Sequence, residues 1–207
     1  MSYPVTFEAD YVERRSRLTT AFRLILAIPL AIWLYIYSLV ATIAVVIAWF
    51  AIVFTARYPQ GLYDFISGFN RFVARFTAYA ALLDDPYPSF GGSDDPAYPV
   101  RMQFTPLERY NRWKTLFRII LAIPIVVLRY VMNLLLEIVA IAAWFVIVVT
   151  GKMPRGLFEV MELANSYIAR SDAYLFLLSE TYPPFEGKQS AGAGTPPAAG
   201  TPPAPSA

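Results

Sequence analysis

The stretch FRLILAIPLAIWLYIYSLVATIAVVIAWFAIVFT, Phe22 to Thr55, decides the fold class, and a second run from Leu116 to Thr150 repeats its character. Each is roughly 34 largely apolar residues, which as one helix would extend about 50 Å against a hydrocarbon core of about 30 Å. Either the helix overshoots the bilayer or the run folds back. Arg14, Arg15, Arg17 and Arg23 lead into the first run and Arg57 follows it; Arg109, Arg112, Lys114 and Arg118 lead into the second, followed by Lys152 and Arg155. Ends of the same positive sign share a side under the positive-inside rule, which favours a hairpin of two short helices in each run. The competing reading is one long kinked helix, basic and interfacial up to Pro29 or Pro124 and spanning beyond it. The midpoints hold Trp33, Tyr35 and Tyr37 in one run and Arg129, Tyr130 and Asn133 in the other, with no Gly or Pro to mark a turn.

The two runs belong to two copies of one unit. Tyr3-Pro4-Val5 recurs as Tyr98-Pro99-Val100, Leu26-Ala27-Ile28-Pro29 as Leu121-Ala122-Ile123-Pro124, and Tyr87-Pro88-Ser89-Phe90 as Tyr182-Pro183-Pro184-Phe185, always 95 apart (98 minus 3, 185 minus 90). About 40% of aligned positions are identical, so one unit was duplicated and both copies answer to the same constraints. Hairpins would keep every twin motif on one side of a membrane. The boundaries read 1–92 for the first membrane repeat, 93–186 for the second and 187–207 for an Ala/Pro-rich tail whose composition is that of a disordered segment.

Each copy opens on an alternating stretch, Val5, Phe7, Ala9 and Tyr11 or Val100, Met102 and Phe104, the period of a short strand. The two strands are candidates to pair across the pseudo-symmetry, with Pro106 ending the second early. After each apolar run comes a two-faced helix. Asp64, Ser67, Arg71 and Arg75 fall opposite Phe65, Phe69, Phe72 and Phe76, and Glu159, Glu162, Ser166 and Arg170 opposite Val160, Met161, Ala164 and Ile168. Such a helix suits the membrane interface, and equally suits packing on the other helices. The expected fold is therefore an all-α integral membrane protein: a duplicated apolar hairpin or long kinked helix, an amphipathic interfacial helix, and short N-terminal strands in each copy.

Hydrophobic residues make up 57% of the chain and charged residues 15%, a balance outside the soluble range. There is no Cys and no His. Disulfides, thiolate metal sites, thiol nucleophiles and the commonest general base are therefore excluded, and no cofactor is expected. Walker A, zinc-protease and nucleophile-elbow motifs do not occur, and nothing supports nucleic-acid binding. Glu8, Asp10 and Glu13 precede an apolar run too long for a cleavable signal, so the first run reads as a mature segment.

Arg129, Asn133 and Glu137 stand four apart on one face inside an apolar run, where ionisable groups line water, pair with each other or lie near headgroups. Their twins are Leu34, Ser38 and Thr42, so only the second copy carries this set. Arg23 and Arg118, and Arg75 and Arg170, are twin pairs suited to anchoring on lipid phosphates, with aliphatic stems in hydrocarbon. Asp84-Asp85 and Asp94-Asp95 read as surface turn residues.

The basic lead-in, Ala48-Trp49-Phe50 through Thr55, Arg57-Tyr58-Pro59-Gln60-Gly61-Leu62, Arg75, Ala78-Tyr79 and Asp85-Pro86-Tyr87-Pro88-Ser89-Phe90 together resemble a bacterial membrane family, domain of unknown function four-three-eight-nine. Ala143-Trp144-Phe145, Thr150-Gly151, Pro154-Arg155-Gly156-Leu157, Arg170, Ala173-Tyr174 and Tyr182-Pro183-Pro184-Phe185 carry the same resemblance in the second copy, with departures at Lys152-Met153 and Glu137. The resemblance implies no established activity. The expected function is non-enzymatic: an accessory or organising component of the bacterial envelope in the cytoplasmic (inner) membrane, multi-pass, with the tail and inter-repeat segment cytoplasmic. Its expected partners are membrane lipids, other membrane proteins or itself. The alternative is a small transporter or channel with a site between the repeats.

Overall fold

A computed structural model describes residues 3–184. The tail at 187–207, expected to be disordered, lies outside the described residues. The chain is mostly helical, with a short strand opening each half: β1 (Val5–Ala9), α1 (Arg17–Ala21), α2 (Arg23–Thr55), α3 (Gln60–Ala80), β2 (Val100–Phe104), α4 (Arg112–Leu116), α5 (Arg118–Thr150) and α6 (Arg155–Leu175). Helices α2 and α5 are long and apolar enough to cross a membrane, by length and composition.

Each apolar run is one unbroken helix of 33 residues, which overturns the hairpin expected from its basic ends. The midpoint of each run, where a hairpin would turn, lacks Gly and Pro. Pro29 and Pro124 fall at the seventh helical position, and the helix continues through both. What terminates it is a left-handed residue after Thr55 or Thr150: Ala56 at φ 57° in one copy and Gly151 at φ 73° in the other, each donating its N–H four residues back. The short helices α1 and α4 begin at twin caps, Ser16 and Asn111, whose side chains accept backbone N–H groups.

The long helices run antiparallel. The Trp49 indole, near the end of α2, donates to the Thr115 carbonyl just before α5, and the Trp144 indole, near the end of α5, donates to the Thr20 carbonyl just before α2, both at 3.0 Å. Two helices of equal length joined end to start at both ends lie antiparallel. Twin motifs therefore sit at opposite ends of the long helices, unlike the arrangement hairpins would give.

Strands β1 and β2 pair antiparallel, Val5 with Phe104, Glu8 with Arg101, and Phe7 with its own twin Met102. A residue paired with its twin lies on the pseudo-two-fold axis, so that axis passes through the centre of the sheet. The sheet contacts α3 and α6 and neither long helix. Helices α3 and α6 touch each other and one long helix each, and their consecutive buried positions, Ile66 to Asn70 and Ala164 to Tyr174, show that they are covered on every side. They form the middle layer, between the sheet and the long helices. The aromatic face of α3 accordingly meets protein: the Tyr37 ring of α2 packs at 5.3 Å from Phe65 and 5.0 Å from Phe69. Of the two readings open for this face, core packing is the one observed.

The long helices bury a single stripe. In α2 it runs through Ala27, Leu30, Ala41, Ala44, Ala48 and Ile52, and in α5 through Ile125, Met132, Leu136, Ala143 and Ile147. The rest of their surface, from Leu24 at 78% exposure to Phe54 at 71%, and from Ile119 to Val149, is exposed and apolar. Burying only that stripe against the middle layer leaves an apolar expanse far larger than a soluble monomer tolerates.

Candidate functional site: arginine clamps and an axial cleft

Both repeats close α3 or α6 in the same way. Leu82 and Leu177 take left-handed backbone (φ 67° each), donating to Tyr79 O and Tyr174 O, while Leu83 and Leu178 donate to Ala78 O and Ala173 O. This is a Schellman closure with a buried leucine where glycine is usual, at a strain of about 1 kcal/mol. The turn aims the next carbonyls inward, onto an arginine at the start of the long helix. Arg23 donates to the Asp84 carbonyl at 2.7 Å and to Asp85 Oδ1 at 3.0 Å, and its guanidinium stacks 4.1 Å over the Tyr79 ring. Arg118 donates to the Ser179 carbonyl and stacks 3.9 Å over Tyr174. A cation at orphan carbonyls beyond a helix C-terminus is favoured by the helix dipole.

These arginines do not reach lipid phosphates. Arg23, Arg118, Arg75 and Arg170 are exposed by only 2%, 5%, 2% and 4%, which corrects the anchoring role expected from the sequence. Carbonyl and ring partners hold them inside. Arg75 lies 5.0 Å from the centre of the Tyr98 ring and Arg170 5.9 Å from that of Tyr3. The Tyr98 hydroxyl donates to Pro86 O and the Tyr3 hydroxyl to Thr181 O, so each repeat's opening tyrosine completes the other repeat's clamp.

The first copy's clamp contains more charge. Arg15 donates to Leu83 O at 2.7 Å, and burial lowers its pKa while Asp85 and Asp84 oppose the shift. Asp84 is 1% exposed, so it is no surface turn residue. Its carboxylate oxygens make no close hydrogen bond among the described residues; the nearby Tyr98 hydroxyl, Arg23 and Arg15 favour the ionised form, but burial outweighs them and pushes its pKa up to about 7. In the second copy these two positions are Tyr110 and Ser179.

On the opposite face from the sheet, a cleft of about 380 Å³ opens between the repeats. Ala31, Leu34, Tyr35 and Ser38 of α2 form one wall, Phe69 and Val73 of α3 with Phe176 the floor, and the Arg129–Asp172 pair the other side. Leu34 and Arg129 are twins, so the pseudo-two-fold axis passes here too. Arg129 Nε meets Asp172 Oδ1 at 2.6 Å and a terminal nitrogen meets Oδ2 at 3.3 Å. Burial raises the Asp172 pKa and Arg129 opposes the rise. The polar set inferred for this run is therefore split: Asn133 donates to Glu137 at 2.8 Å, and Arg129 turns away to the neighbouring helix. A larger apolar groove of about 750 Å³ adjoins the end of α2 and start of α5, lined by Val45, Trp49, Phe50, Ile119, Ile123 and Leu177 among others.

Sequence reading missed Asp172, the clamp tyrosines, and Asn70 with its twin Asn165, buried in the middle layer at 1% and 0% exposure without hydrogen-bond partners. A signal existed for each. Tyr79 and Asn70 are identical to their twins, and Asp172 departs from its twin Thr77 as Arg129 departs from Leu34. Among the described residues, no group of three acidic side chains converges to hold a metal ion.

The fold and clamps define a tandem-repeat helical protein whose long apolar helices suit a bilayer. The sequence model of the family described as Domain of unknown function (DUF4389) matches residues 17–91 and again 112–186, and the chain belongs to that family in two tandem copies. No curated protein matches. No solved structure matches either. Both matched segments begin after the strands, at twin positions Arg17 and Arg112.

Proposed function

We propose that the chain is a non-enzymatic membrane protein of the bacterial cytoplasmic membrane, serving as an accessory or organising component of the envelope. The observation that supports this most is the exposed apolar surface of α2 and α5, which continues along both helices while the charged groups beneath are bound into structural clamps. Its partners are membrane lipids and, through the same faces, other membrane proteins or further copies of itself. Reconstitution into liposomes tests the role: the protein should stay with the vesicles after alkaline extraction, and should change their diameter or retain a defined partner from native membranes. Extraction with the soluble fraction would defeat the reading.

One observation favours a second reading, a small transporter or channel. The axial cleft lies between the repeats and contains the Arg129–Asp172 pair, a polar feature among apolar walls. A flux assay with Arg129→Leu and Glu137→Ala beside the unaltered chain separates the two. Flux above empty liposomes that either substitution abolishes supports transport, and none from any of the three removes it.

A further inference from the structure

The geometry points to a chain that lies in one leaflet of an anionic bilayer, α2 and α5 parallel to the membrane plane, with the sheet facing water. This deepens the membrane reading above and rests on it. It replaces the multi-pass crossing expected from the sequence.

The position of the sheet fixes the orientation of the long helices. The pseudo-two-fold axis runs through the Phe7–Met102 pair and through the cleft shared by Leu34 and Arg129. Trp49 reaches Thr115, the twin of Thr20, so the axis passes α2 at a level about midway between residues 20 and 49. The sheet therefore stands over the middle of the long helices and not at their ends. Were those helices to cross a bilayer, the sheet would sit at its midplane, carrying the Arg101 ion pairs to Glu8 (3.5 Å) and Asp10 (2.7 Å), with each acid still 53% exposed. Its two strands would also hold unpaired outer edges in hydrocarbon. Bilayers admit neither open sheet edges nor an exposed cluster of charged side chains at that depth.

Length and charge agree. The exposed apolar face runs from Leu24 to Phe54, about 45 Å at 1.5 Å per residue, half as long again as a hydrocarbon core of about 30 Å. Exposed cations stand at both ends of the antiparallel pair: Arg14, Arg17, Lys152 and Arg155 at one, Arg57, Arg109, Arg112 and Lys114 at the other. A crossing orientation would put equal positive charge on the two sides, against the asymmetry that fixes topology. Laid flat, both clusters meet the same layer of anionic headgroups, flanking an apolar face sunk into the acyl region.

Labelling of the full chain in sealed native membrane vesicles of one orientation tests this. The chain has no cysteine, so Arg17→Cys, Arg112→Cys and Glu8→Cys each report one position to an impermeant maleimide. All three should label from one side and none from the other. Labelling of Arg17→Cys and Arg112→Cys from opposite sides, or protection of Glu8→Cys from both, would overturn the proposal while leaving membrane residence intact. If either basic-end variant fails to accumulate, Arg57→Cys with Lys152→Cys asks the same question. Recovery as a lipid-free dimer with the apolar faces mated would instead overturn the membrane reading itself. For the headgroup preference, the chain is offered phosphatidylglycerol and phosphatidylcholine vesicles on dilution from detergent. Neutralising Arg57, Arg109, Arg112 and Lys114 to Gln should cut the preference for the anionic vesicles by about fivefold per cation. An unchanged preference would remove anionic lipid from the proposal.

Discussion

The two repeats share one clamp and differ in where each holds its extra charges. Repeat one carries Arg15 and Asp84 where repeat two has Tyr110 and Ser179; repeat two carries Arg129 and Asp172 where repeat one has Leu34 and Thr77. In each case both charges are present or both are absent. A lone buried charge is costly, whereas a neutral pair of similar bulk is tolerated, so such pairs are exchanged as units. The shared arginines obey a different rule: in repeat two Arg118 is held by the Ser179 carbonyl and the Tyr174 ring, with no carboxylate among the described residues bonded to it.

That contrast predicts unequal costs for the same substitution in twin positions, measured by unfolding in detergent. Arg23→Met should cost most, about 3–5 kcal/mol, because it removes the cation bonded to Asp85 and leaves Arg15 alone beside Asp85 and the buried Asp84. Arg118→Met, which strands no carboxylate of comparable burial, should cost about 1–3 kcal/mol. Equal losses would break the comparison.

The axial pair comes next. Arg129→Leu alone should destabilise by several kcal/mol by leaving Asp172 buried and unpaired, and adding Asp172→Thr, which installs repeat one's residues, should recover most of the loss. Additive effects would mean that the 2.6 Å contact carries no coupling. The corresponding cycle of Arg15→Tyr and Asp84→Ser should show a coupling of about 1–3 kcal/mol.

Asp84 also sets a pH dependence. Burial pushes its carboxyl from the ordinary aspartate value of 3.8 up to about 7 in the fold, so between those values the folded chain keeps a proton that the unfolded chain has released. Stability therefore falls as pH rises through that window. Asp172, raised by the same cause, adds in the same sense, so Asp84→Ser should flatten the melting temperature against pH without abolishing the slope. A slope unchanged by Asp84→Ser would show that Asp84 is not the titrating group. The smallest effect is at the helix ends: Ala56→Gly gives the left-handed cap its twin's residue and should stabilise by about 0.5–1 kcal/mol.

The duplication, the apolar runs and the strands were legible because period and offset are written along the chain. The Val5-Phe7-Ala9 alternation pairs with Val100-Met102-Phe104 as its period suggested, and Pro106 falls beyond β2. The hairpin was a misreading of charge. Basic residues at both ends of a run imply a shared side, which a run that crosses and returns provides, but so does an unbroken helix lying flat. The arginines were misplaced for a related reason. A sequence shows that Arg23 borders an apolar run, but not that the turn at Leu82 brings a carbonyl 61 positions away onto its guanidinium. Asp84 beside Pro86 looked like loop chemistry until the swapped Tyr98 covered it, a contact between repeats that no local pattern encodes.

The central claim is that each apolar run is a single unbroken helix, since the antiparallel pairing, the axial sheet and the flat orientation all follow from it. The distance between spin labels at Leu24→Cys and Phe54→Cys in bilayers tests it directly. An unbroken helix places the two backbones about 45 Å apart. A hairpin would bring them within about 10–20 Å, and that result would contradict the account.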